Sequence, residues 1–490
     1  MIWSLERYLQ LPKERCDMRV VLSNYAWVSM SELGPQAMKI AEELTVFPRA
    51  FSDYNKEPPA PIYAFKEERG LMGLPREWFL SNAKMAHDYE CCYSNGTPVI
   101  FHDTIVSREG QAELVDKVMR HYNQDGGLGA IICAGTGLGK TIMGLKIACM
   151  LGTTTLVVVH TELLRDHWLE KIREFVPKTK VGLVQGDSED WRGKHIVVAM
   201  LQSLLAKEMP EEFYRHYGFC IFDECHHVGA AVWNKVVPQF YAKHRLGLTA
   251  TLKRADGTDA IVYWHLGKVF TATVSRNLEK PKIQLINSKM QLVRTRDFDP
   301  ERLNKSVLIR FLSANKQRNA LIVGLIIKAL LRGRKVMVLS HRIDHLVRLA
   351  TMFREHKPAN LKVSISFLVS NKSLRERGLA TRNRTRRDLE KAKGADLMLC
   401  SYAFAAEGVD IPELDTLFMA TPIGNVVQAV GRILREHPDK KPPVVVDIVD
   451  RKIRRLERAA EHRVKIYNQQ GWVVLCSPEE RQSTPGEKRR

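Results

Sequence analysis

The 490-residue sequence lacks a long hydrophobic run. No apolar stretch reaches the roughly 18 residues that a membrane-spanning helix requires. The segment MIWSLERYLQLPKERC carries charged residues early and lacks the apolar core of a signal peptide. We therefore expect a soluble, intracellular protein with no membrane partner.

Cysteine is sparse and irregularly spaced. The nine cysteines show no repeated CxxC pattern, which is typical of reduced thiols in an intracellular protein. One group leaves a zinc site open as an alternative: Cys220, Cys225, His226 and His227 lie close together, although no second pair of ligands is nearby. A second acidic cluster of the kind that a nuclease would use is also missing.

Acidic residues are outnumbered. The chain has 75 Lys and Arg against 55 Asp and Glu, a net charge of +20. Such an excess attracts polyanions, above all nucleic acid, although a soluble basic protein without such a partner would have the same sign. The basic segment 371–393 is either a phosphate-backbone contact or a solvated helix. The segment 451–467 has apolar residues at helical spacing, which predicts an amphipathic helix packed on its domain.

Short β-rich runs alternate with helical patterns in two stretches, at about 107–290 and 310–470. Buried parallel strands give such near-continuous apolar runs, and the alternation predicts βαβ units in a doubly wound sheet. In the first stretch the runs are AIICA (130–134), TLVVVH (155–160), HIVVAM (195–200), CIFDE (220–224) and RLGLTAT (245–251). In the second they are KVMVLSH (335–341), VSISFLV (363–369), DLMLCS (396–401), TLFMAT (416–421) and PVVVDIV (443–449).

The fold class is therefore α/β, with two tandem parallel-sheet domains and a small amino-terminal α+β domain. In the amino-terminal part, 19–30 is strand-like and 31–44 predicts a helix that Ser31 opens. The expected linker is 277–305. We expect a small accessory domain at 1–100, for which DNA binding is one interpretation. Parallel-sheet domains are expected at 101–285 and 286–475, and a disordered basic tail at 476–490.

The segment AGTGLGKT lies between a predicted strand and a predicted helix, the setting that a phosphate-binding P-loop requires. Its three glycines let backbone N–H groups converge on phosphate oxygens. Lys140 would contact the β- and γ-phosphates, and Thr141 would offer a hydroxyl to Mg²⁺. Ala134 replaces the first glycine of the usual pattern. The candidate cofactor-binding residues are Ala134, Gly135, Thr136, Gly137, Leu138, Gly139, Lys140 and Thr141.

The adjacent carboxylates Asp223 and Glu224 follow an apolar run. Buried carboxylates without partners are costly, so an acidic turn after a strand needs a reason. A P-loop supplies one, because it works with an acidic residue at the end of a neighbouring strand. Asp223 would hold Mg²⁺ through water, and Glu224 would polarise the attacking water.

The order AxTGxGKT, DExH, TAT, QxxGRxxR resembles that of superfamily 2 helicases and translocases. DECHHVGA (223–230) followed by RLGLTATLKRADG (245–257) is similar to the XPB/UvsW-type branch. The resemblance covers about 105–470, and residues 1–100 resemble more weakly the small domain of phage and viral members. It implies two RecA-like domains, ATP and Mg²⁺ as cofactors, nucleic acid as partner and, for a phage or viral protein, the host cytoplasm as location.

The resemblance also assigns residues around the nucleotide. Arg108 and Gln111 match a Q-motif-like element, in which Gln111 reads adenine, and His226 completes the DExH set. Gly408 and Asp410 belong to EGVDIP, where the glycine allows close backbone approach and the aspartate bonds ribose or relays the signal. In QAVGRILR, the side chains of Gln428, Arg432 and Arg435 would share one helical face, with the arginines reaching the γ-phosphate as arginine fingers.

The resemblance also implies that a further group of residues contacts nucleic acid. His160 stands where the family usually has proline, and Met200 replaces the usual threonine. Arg254-Ala255-Asp256 stands where XPB-type proteins carry Arg-Glu-Asp. The candidates are Thr161, Gln202, Ser203, Thr249, Thr251, His341 and Arg342.

The expected activity is that of an ATP-dependent DNA helicase acting on single-stranded, forked or branched DNA, with 3′→5′ tracking implied by the resemblance. A double-strand translocase or annealing motor and an RNA helicase remain alternatives. A structure-binding protein with a vestigial ATPase is the alternative of a different class, and the intact Lys140, Glu224 and Arg435 argue against it. A monomer is favoured, although the sequence does not set the oligomeric state.

Overall fold

The computed structural model describes most of the chain. The described residues are 20–48, 60–82, 89–124, 126–135, 137–225, 230–250, 257–271, 280–292, 300–382, 384–406, 411–424, 426–434, 437 and 440–476. They form two compact units, which divide between Val274 and Ser275. No helix in these ranges is long and apolar enough to cross a membrane.

The first unit begins with a five-stranded sheet. Its strands and those of a separate two-stranded pair are β1 (Val20–Leu22), β2 (Ala26–Ser29), β3 (Thr45–Val46), β4 (Ile62–Tyr63), β5 (Lys66–Glu68), β6 (Leu71–Leu74) and β7 (Tyr89–Cys91). The order is β5-β6-β2-β1-β7, and β3 pairs with β4. The helices are α1 (Met30–Leu33), α2 (Gln36–Glu43) and α3 (Arg76–Ser81).

Two amino-terminal elements are shorter than the sequence pattern indicated. The strand-like run 19–30 is a hairpin, because Ser23–Tyr25 forms a turn between antiparallel β1 and β2. The helix predicted over 31–44 is interrupted between α1 and α2, where Gly34 has a φ of 52° and Pro35 has no N–H to continue the hydrogen bonds.

The second sheet of the first unit has eight strands. They are β8 (Gly129–Cys133), β9 (Thr155–Val159), β10 (Val181–Gln185), β11 (Ser188–Asp190), β12 (Ile196–Met200), β13 (Phe219–Phe222), β14 (His244–Thr249) and β15 (Lys268–Thr271). The order is β11-β10-β12-β9-β13-β14-β8-β15. All neighbours are parallel except β10 and β11. The parallel strands therefore end at one edge.

Helices cover both faces of this sheet, as a doubly wound fold requires. One face packs on α4 (Glu109–Asn123), α5 (Lys140–Leu151) and α6 (Glu162–Phe175) through a core that includes Val118, Ile147 and Trp168. The other face packs on a second group of helices and on Trp233. That group comprises α7 (Leu201–Ala206), α8 (Glu211–Arg215), α9 (Ala230–Val236) and α10 (Asp259–Leu266).

Buried polar contacts join the amino-terminal sheet to the eight-stranded sheet. Arg76 is fully buried and donates to the carbonyl oxygens of Ala242 (2.9 Å) and Lys243 (3.0 Å). In return, the fully buried Arg245 donates to the carbonyl oxygen of Asn24 at 2.8 Å. The predicted accessory domain thus shares one compact unit with the first parallel sheet.

The second unit contains a seven-stranded, wholly parallel sheet. Its strands are β16 (Lys282–Asn287), β17 (Val336–Ser340), β18 (Ile365–Leu368), β19 (Leu397–Ser401), β20 (Thr416–Met419), β21 (Val444–Val449) and β22 (Val473–Cys476). The order is β18-β19-β17-β20-β21-β16-β22. Its helices are α11 (Lys305–Ala314), α12 (Lys316–Leu331), α13 (Ile343–His356), α14 (Asn371–Glu376), α15 (Arg386–Lys393), α16 (Tyr402–Ala406), α17 (Val426–Val430) and α18 (Arg454–Gln469).

The two α/β sheets confirm the predicted fold class, but one boundary moves. The boundary expected at 285/286 and the linker expected at 277–305 both fall across β16, which pairs with β21 and β22. The second unit therefore begins before Lys282. The first residue of the predicted tail, Cys476, is the last residue of β22. Residues 477–490 lie outside the described residues.

The two basic segments differ in structure. The segment 371–393 contains α14 and α15, and Arg384 between them donates to the carbonyl oxygen of Phe367 at 2.6 Å. Arg377 pairs with Asp344 at 2.8 Å, so part of this positive charge is used within the fold. The amphipathic helix predicted over 451–467 is confirmed as α18, which packs on β21 and β22.

Candidate nucleotide and nucleic-acid site

The predicted motifs of the first unit meet at the carboxyl edge of the eight-stranded sheet. The P-loop follows β8, and Asp223 and Glu224 follow β13. Thr161, Gln202 and Thr249 lie at or just beyond the ends of β9, β12 and β14. One expectation needs correction, because β14 lies between β8 and β13, so the acidic pair is one strand away from the P-loop strand. The side chains of Lys140 and Glu224 still approach each other across the intervening strand β14.

The P-loop has the backbone that its glycines suggested. Gly137 and Gly139 have φ values of 82° and 76°, in the left-handed region that favours glycine. The loop is anchored to the motif on β14, since the backbone N–H of Ala134 donates to the carbonyl oxygen of Thr249 at 3.0 Å. Leu138 is half-buried, and Thr141 lies in the first turn of α5. Thr136 lies outside the described residues.

Lys140 is the cation of the site. Its side chain is only 9% exposed, and its Nζ donates to the carbonyl oxygen of Ala134 at 3.1 Å. The same Nζ lies 3.8 Å from Oε1 of Glu224. A buried ammonium whose partners lie at the rim of the P-loop is suited to meet an anionic phosphate group there.

Asp223 is held by two donors. Oδ1 accepts from the backbone N–H of Glu224 at 2.9 Å, and Oδ2 accepts from the indole N–H of Trp168 at 2.8 Å. Burial, reinforced by the neighbouring Glu224 carboxylate, raises the pKa of Asp223 to about 6, although the Trp168 hydrogen bond and Lys140 oppose the rise. A divalent cation would supply the positive charge that this buried carboxylate needs. The arrangement therefore fits a Mg²⁺–nucleotide complex.

Glu224 adopts an uncommon backbone conformation, with a φ of 47°. Non-glycine residues in the left-handed region cost of order 1–3 kcal/mol and concentrate at functional sites. The turn is fixed on both sides, because Asp223 N–H donates to Val158 and Cys225 N–H donates to Leu248. The strain is thus maintained by the two neighbouring strands, and it directs Glu224 towards Lys140.

Trp168 was not among the site residues expected from the sequence. It lies on α6, seven residues beyond Thr161, and it is fully buried. Together with Leu164 and Ile172 it forms the apolar face of the helix, so its spacing indicated a core residue. No sequence signal pointed to its hydrogen bond with Asp223, because the two residues are 55 positions apart.

The Q-motif-like element contacts the P-loop. Gln111 Nε2 donates to the carbonyl oxygen of Leu138 at 2.9 Å, while its Oε1 accepts from the backbone N–H of Arg108 at 3.0 Å. The Arg108 side chain is exposed at the start of α4. The amide thus fastens the P-loop to α4, and the recognition of adenine stays a prediction.

The candidates for nucleic-acid contact in the first unit differ in accessibility. Gln202 is exposed and donates to the carbonyl oxygen of His160 at 2.7 Å, next to Thr161, whose hydroxyl caps α6 by accepting from Leu164 N–H. Ser203 is buried and accepts from Gly186 N–H. Thr249 is 1% exposed. These burials favour Gln202 and Thr161 as surface contacts and place Ser203 and Thr249 in supporting positions.

The second unit holds the remaining described candidates at its own sheet edge. His341 and Arg342 follow β17, and the His341 ring shares a hydrogen bond of 3.0 Å with the hydroxyl of Thr421. The helix expected to carry Gln428, Arg432 and Arg435 on one face is shorter than predicted. It ends at Val430 and continues only as a single 3₁₀ turn, Gly431–Ile433.

Several predicted residues fall where the structure gives no description. The side chains of Gln428 and Arg432 are among them, although their backbone is described. The others lie wholly outside the described residues: Thr136, His226, Thr251, Gly408, Asp410 and Arg435. Their roles stay predictions.

The alternative of a zinc site receives no support from its cysteines. Cys220 and Cys225 are buried. Burial raises the pKa of the Cys220 thiol to about 12 and that of Cys225 well above its usual range. His226 and His227 lie outside the described residues. In the part of the chain that is described, no cluster of three or more metal-ligating side chains occurs.

Comparison with known proteins finds viral and phage helicases among the sequences similar to this chain. The family described as "Type III restriction enzyme, res subunit" matches residues 104–254. A putative ATP-dependent RNA helicase of Acanthamoeba polyphaga mimivirus is 28% identical over 439 residues, which cover 84% of this chain and 78% of the relative. A probable helicase of Escherichia phage T5 is 24% identical, with 71% of this chain and 74% of the relative covered.

A further viral relative and one solved structure are also similar to this chain. A putative ATP-dependent RNA helicase of African swine fever virus (strain Badajoz 1971 Vero-adapted) is 26% identical over 404 residues, covering 75% of this chain and 74% of the relative. A solved structure titled "The crystal structure of T4 UvsW" has a TM-score of 0.37 at 14% identity, with 94% of this chain and 99% of that chain covered. The motif order, the family matched over residues 104–254 and the viral and phage relatives together make this chain similar to the superfamily 2 helicases.

Proposed function

We propose that this helicase hydrolyses ATP with Mg²⁺ and uses the energy to move along and remodel DNA. The observation that carries the proposal is the meeting of Lys140, Asp223 and Glu224 at one sheet edge, with Lys140 Nζ 3.8 Å from Glu224 Oε1. A P-loop lysine, a metal-holding aspartate and a water-orienting carboxylate are the parts that phosphoryl transfer requires.

Each residue has a separate task in this proposal. Lys140 leaves its partner Ala134 to bind the β- and γ-phosphates, and Thr141 and Asp223 hold the cation, which neutralises charge on the phosphates. Glu224 accepts hydrogen bonds from the attacking water and aligns it with the phosphorus atom. Arg432 and Arg435 are the arginine fingers of this proposal, because guanidinium groups stabilise the charge that spreads over the transferring phosphoryl group.

Nucleic acid is the proposed track because of charge and position. The net charge of +20 favours a polyanion. In the first unit, Thr161 and Gln202 lie at the same sheet edge as the P-loop, so a bound strand there would be mechanically connected to the nucleotide. DNA, including forked or branched forms, is the first candidate because the resemblance to XPB/UvsW-type proteins implies movement on DNA.

RNA is the second candidate, and a specific observation favours it. The mimivirus and African swine fever virus relatives are each named as a putative ATP-dependent RNA helicase. The contacts described at the sheet edge are backbone and side-chain groups suited to phosphates, which both nucleic acids share.

Steady-state ATPase measurement with different nucleic acids tests the proposal. Activity should be low alone and rise with single-stranded DNA and most with forked DNA, at a fixed salt concentration because polyanion binding depends on salt. Matched RNA of the same sequences separates the two candidates. Glu224→Gln, which keeps the size of the side chain, should lower turnover by roughly 10²-fold or more, the scale of general-base loss, while nucleotide binding persists.

Turnover by Glu224→Gln at the wild-type rate would place the hydrolytic residue elsewhere. Stimulation by RNA alone would make the protein an RNA helicase. Equal activity with and without every nucleic acid would contradict the motor proposal itself.

A further inference from the structure

The indole of Trp168 occupies an unusual position for a core side chain. It is fully buried on α6, yet its N–H points to a carboxylate oxygen of the acidic pair at 2.8 Å. The six-membered part of the Trp168 indole packs against the α5 helix beside Gly144, whereas its N–H faces the carboxylate. Packing alone therefore does not explain the polar end of the ring.

The hydrogen bond determines how the Asp223 carboxylate is turned. Its two oxygens each receive one donor from different elements, the indole N–H of Trp168 on α6 and the backbone N–H of Glu224 in the turn after β13. Two donors on opposite oxygens fix the plane of the carboxylate, and each oxygen keeps a lone pair for a further partner. Residues that orient a metal-binding carboxylate in this way strongly affect metal affinity.

Helix α6 has a second connection at its beginning. Thr161 caps the helix, and Gln202 on α7 donates to the adjacent His160 carbonyl oxygen at 2.7 Å. These residues are the accessible nucleic-acid candidates of the first unit. One helix thus has a predicted nucleic-acid contact at its N-cap and, two turns later, a hydrogen bond to the carboxylate.

We propose that Trp168 is a positioning residue that sets the Asp223 carboxylate for Mg²⁺ and ties its orientation to the position of α6. The inference rests on the proposed function, in which Asp223 holds Mg²⁺ with the nucleotide. Trp168 does not touch the nucleotide, and its effect is exerted through Asp223 alone. Removal of the N–H should therefore change the response to Mg²⁺ more than the contacts of the nucleotide with the P-loop.

The test is binding of a fluorescent ATP analogue to the full chain, with Mg²⁺ titrated and in parallel with EDTA. Trp168→Phe should raise the Mg²⁺ concentration at half-saturation about tenfold, the lower end of the effect of losing a residue that orients a ligand, and leave the affinity in EDTA unchanged. Trp78→Phe is the matched control, because the Trp78 indole also donates to a carboxylate, Glu43, at 2.8 Å. It should behave as wild type.

The double variant provides the sharper test. If Trp168 acts through Asp223, adding Trp168→Phe to Asp223→Asn should cause no further change in the Mg²⁺ response. A normal Mg²⁺ response in Trp168→Phe, an equal loss of binding in EDTA, or an additive effect in the double variant would overturn the inference. Absence of nucleotide binding by the wild-type chain would instead refute the proposed function.

Discussion

Replacement of Arg76 by alanine should destabilise the first unit strongly. The guanidinium is fully buried and donates to the carbonyl oxygens of Ser23 (3.3 Å), Ala242 (2.9 Å) and Lys243 (3.0 Å). It also lies 3.6 Å from the carboxylate of the buried Glu77. Arg76→Ala removes the donor for all three oxygens and leaves Glu77 without this cation.

The expected loss is large because the group is buried. Removing one partner of a buried ion pair typically costs 3–5 kcal/mol, since the other charge stays in a medium that solvates it poorly. In a unit of this size, about 1 kcal/mol moves the melting temperature by roughly 2–4 °C, so Arg76→Ala should lower it by roughly 6–20 °C. Differential scanning calorimetry of the full chain measures this, with the exposed Arg120→Ala as the control that should remain near wild type.

The result also determines the role of the amino-terminal sheet. A melting temperature within about 2 °C of wild type would refute the argument that Arg76 joins the two sheets of the first unit. A large loss would make residues 20–91 part of the folding unit that forms the P-loop. In that case deleting residues 1–100 should abolish ATPase activity along with folding, and an intact ATPase in the truncated chain would contradict the reasoning.

Two further predictions concern the P-loop and acid stability. Gly139→Ala should lower the free energy of unfolding by about 1–2 kcal/mol, the cost of a left-handed alanine, because φ is 76° and a Cβ would lie 2.3 Å from Gln111 Nε2. Gly135→Ala is the control in urea unfolding, since its Cβ would meet nothing closer than Leu138 at 3.6 Å; equal effects would contradict the prediction. Burial, then Arg245 and Arg76, lower the pKa of His265 to about 3. The contribution of neutral His265 to the free energy of unfolding is fully present above pH 6.5. It is lost as the pH falls towards 3, because only the unfolded chain binds the proton in that range. Between pH 6.5 and 5 the loss should be roughly 2 kcal/mol, and His265→Gln should flatten the dependence of melting temperature on pH; an unchanged slope would exclude this histidine.

Much of the fold could be predicted because its information is local. The central strands of both parallel sheets are short apolar runs separated by helical patterns, and β9, β12 and β17 lie within one residue of their predicted bounds. The strands that the sequence did not predict lie at or near the edges of the sheets. β10 has alternate residues only half-buried, and β15 is partly exposed, so neither has the continuous apolar run of a central strand.

The candidate site likewise combines local motifs that the sequence predicts with features that it does not predict. The P-loop and the acidic pair are each contained within eight residues, so a short motif and its place after a predicted strand were enough to propose both. The contact between Lys140 and Glu224 was not predicted, and it arises because parallel strands end at one edge of the sheet. The length of the helix that carries Arg432 was overestimated, because helical spacing in a sequence does not reveal that regular α-helix ends at Val430.

The sequence by itself determined the α/β class, the nucleotide-binding loop and the acidic pair, since each depends on neighbouring residues and on strand and helix periodicity. Only the tertiary structure decided that β14 separates the two motif strands, that Trp168 holds Asp223, and that Arg76 and Arg245 join the amino-terminal sheet to the first parallel sheet. These contacts join residues from 55 to 221 positions apart. They arise because buried polar groups need hydrogen-bond partners, and tertiary packing decides which groups come close enough. Local sequence patterns do not predict such long-range pairs.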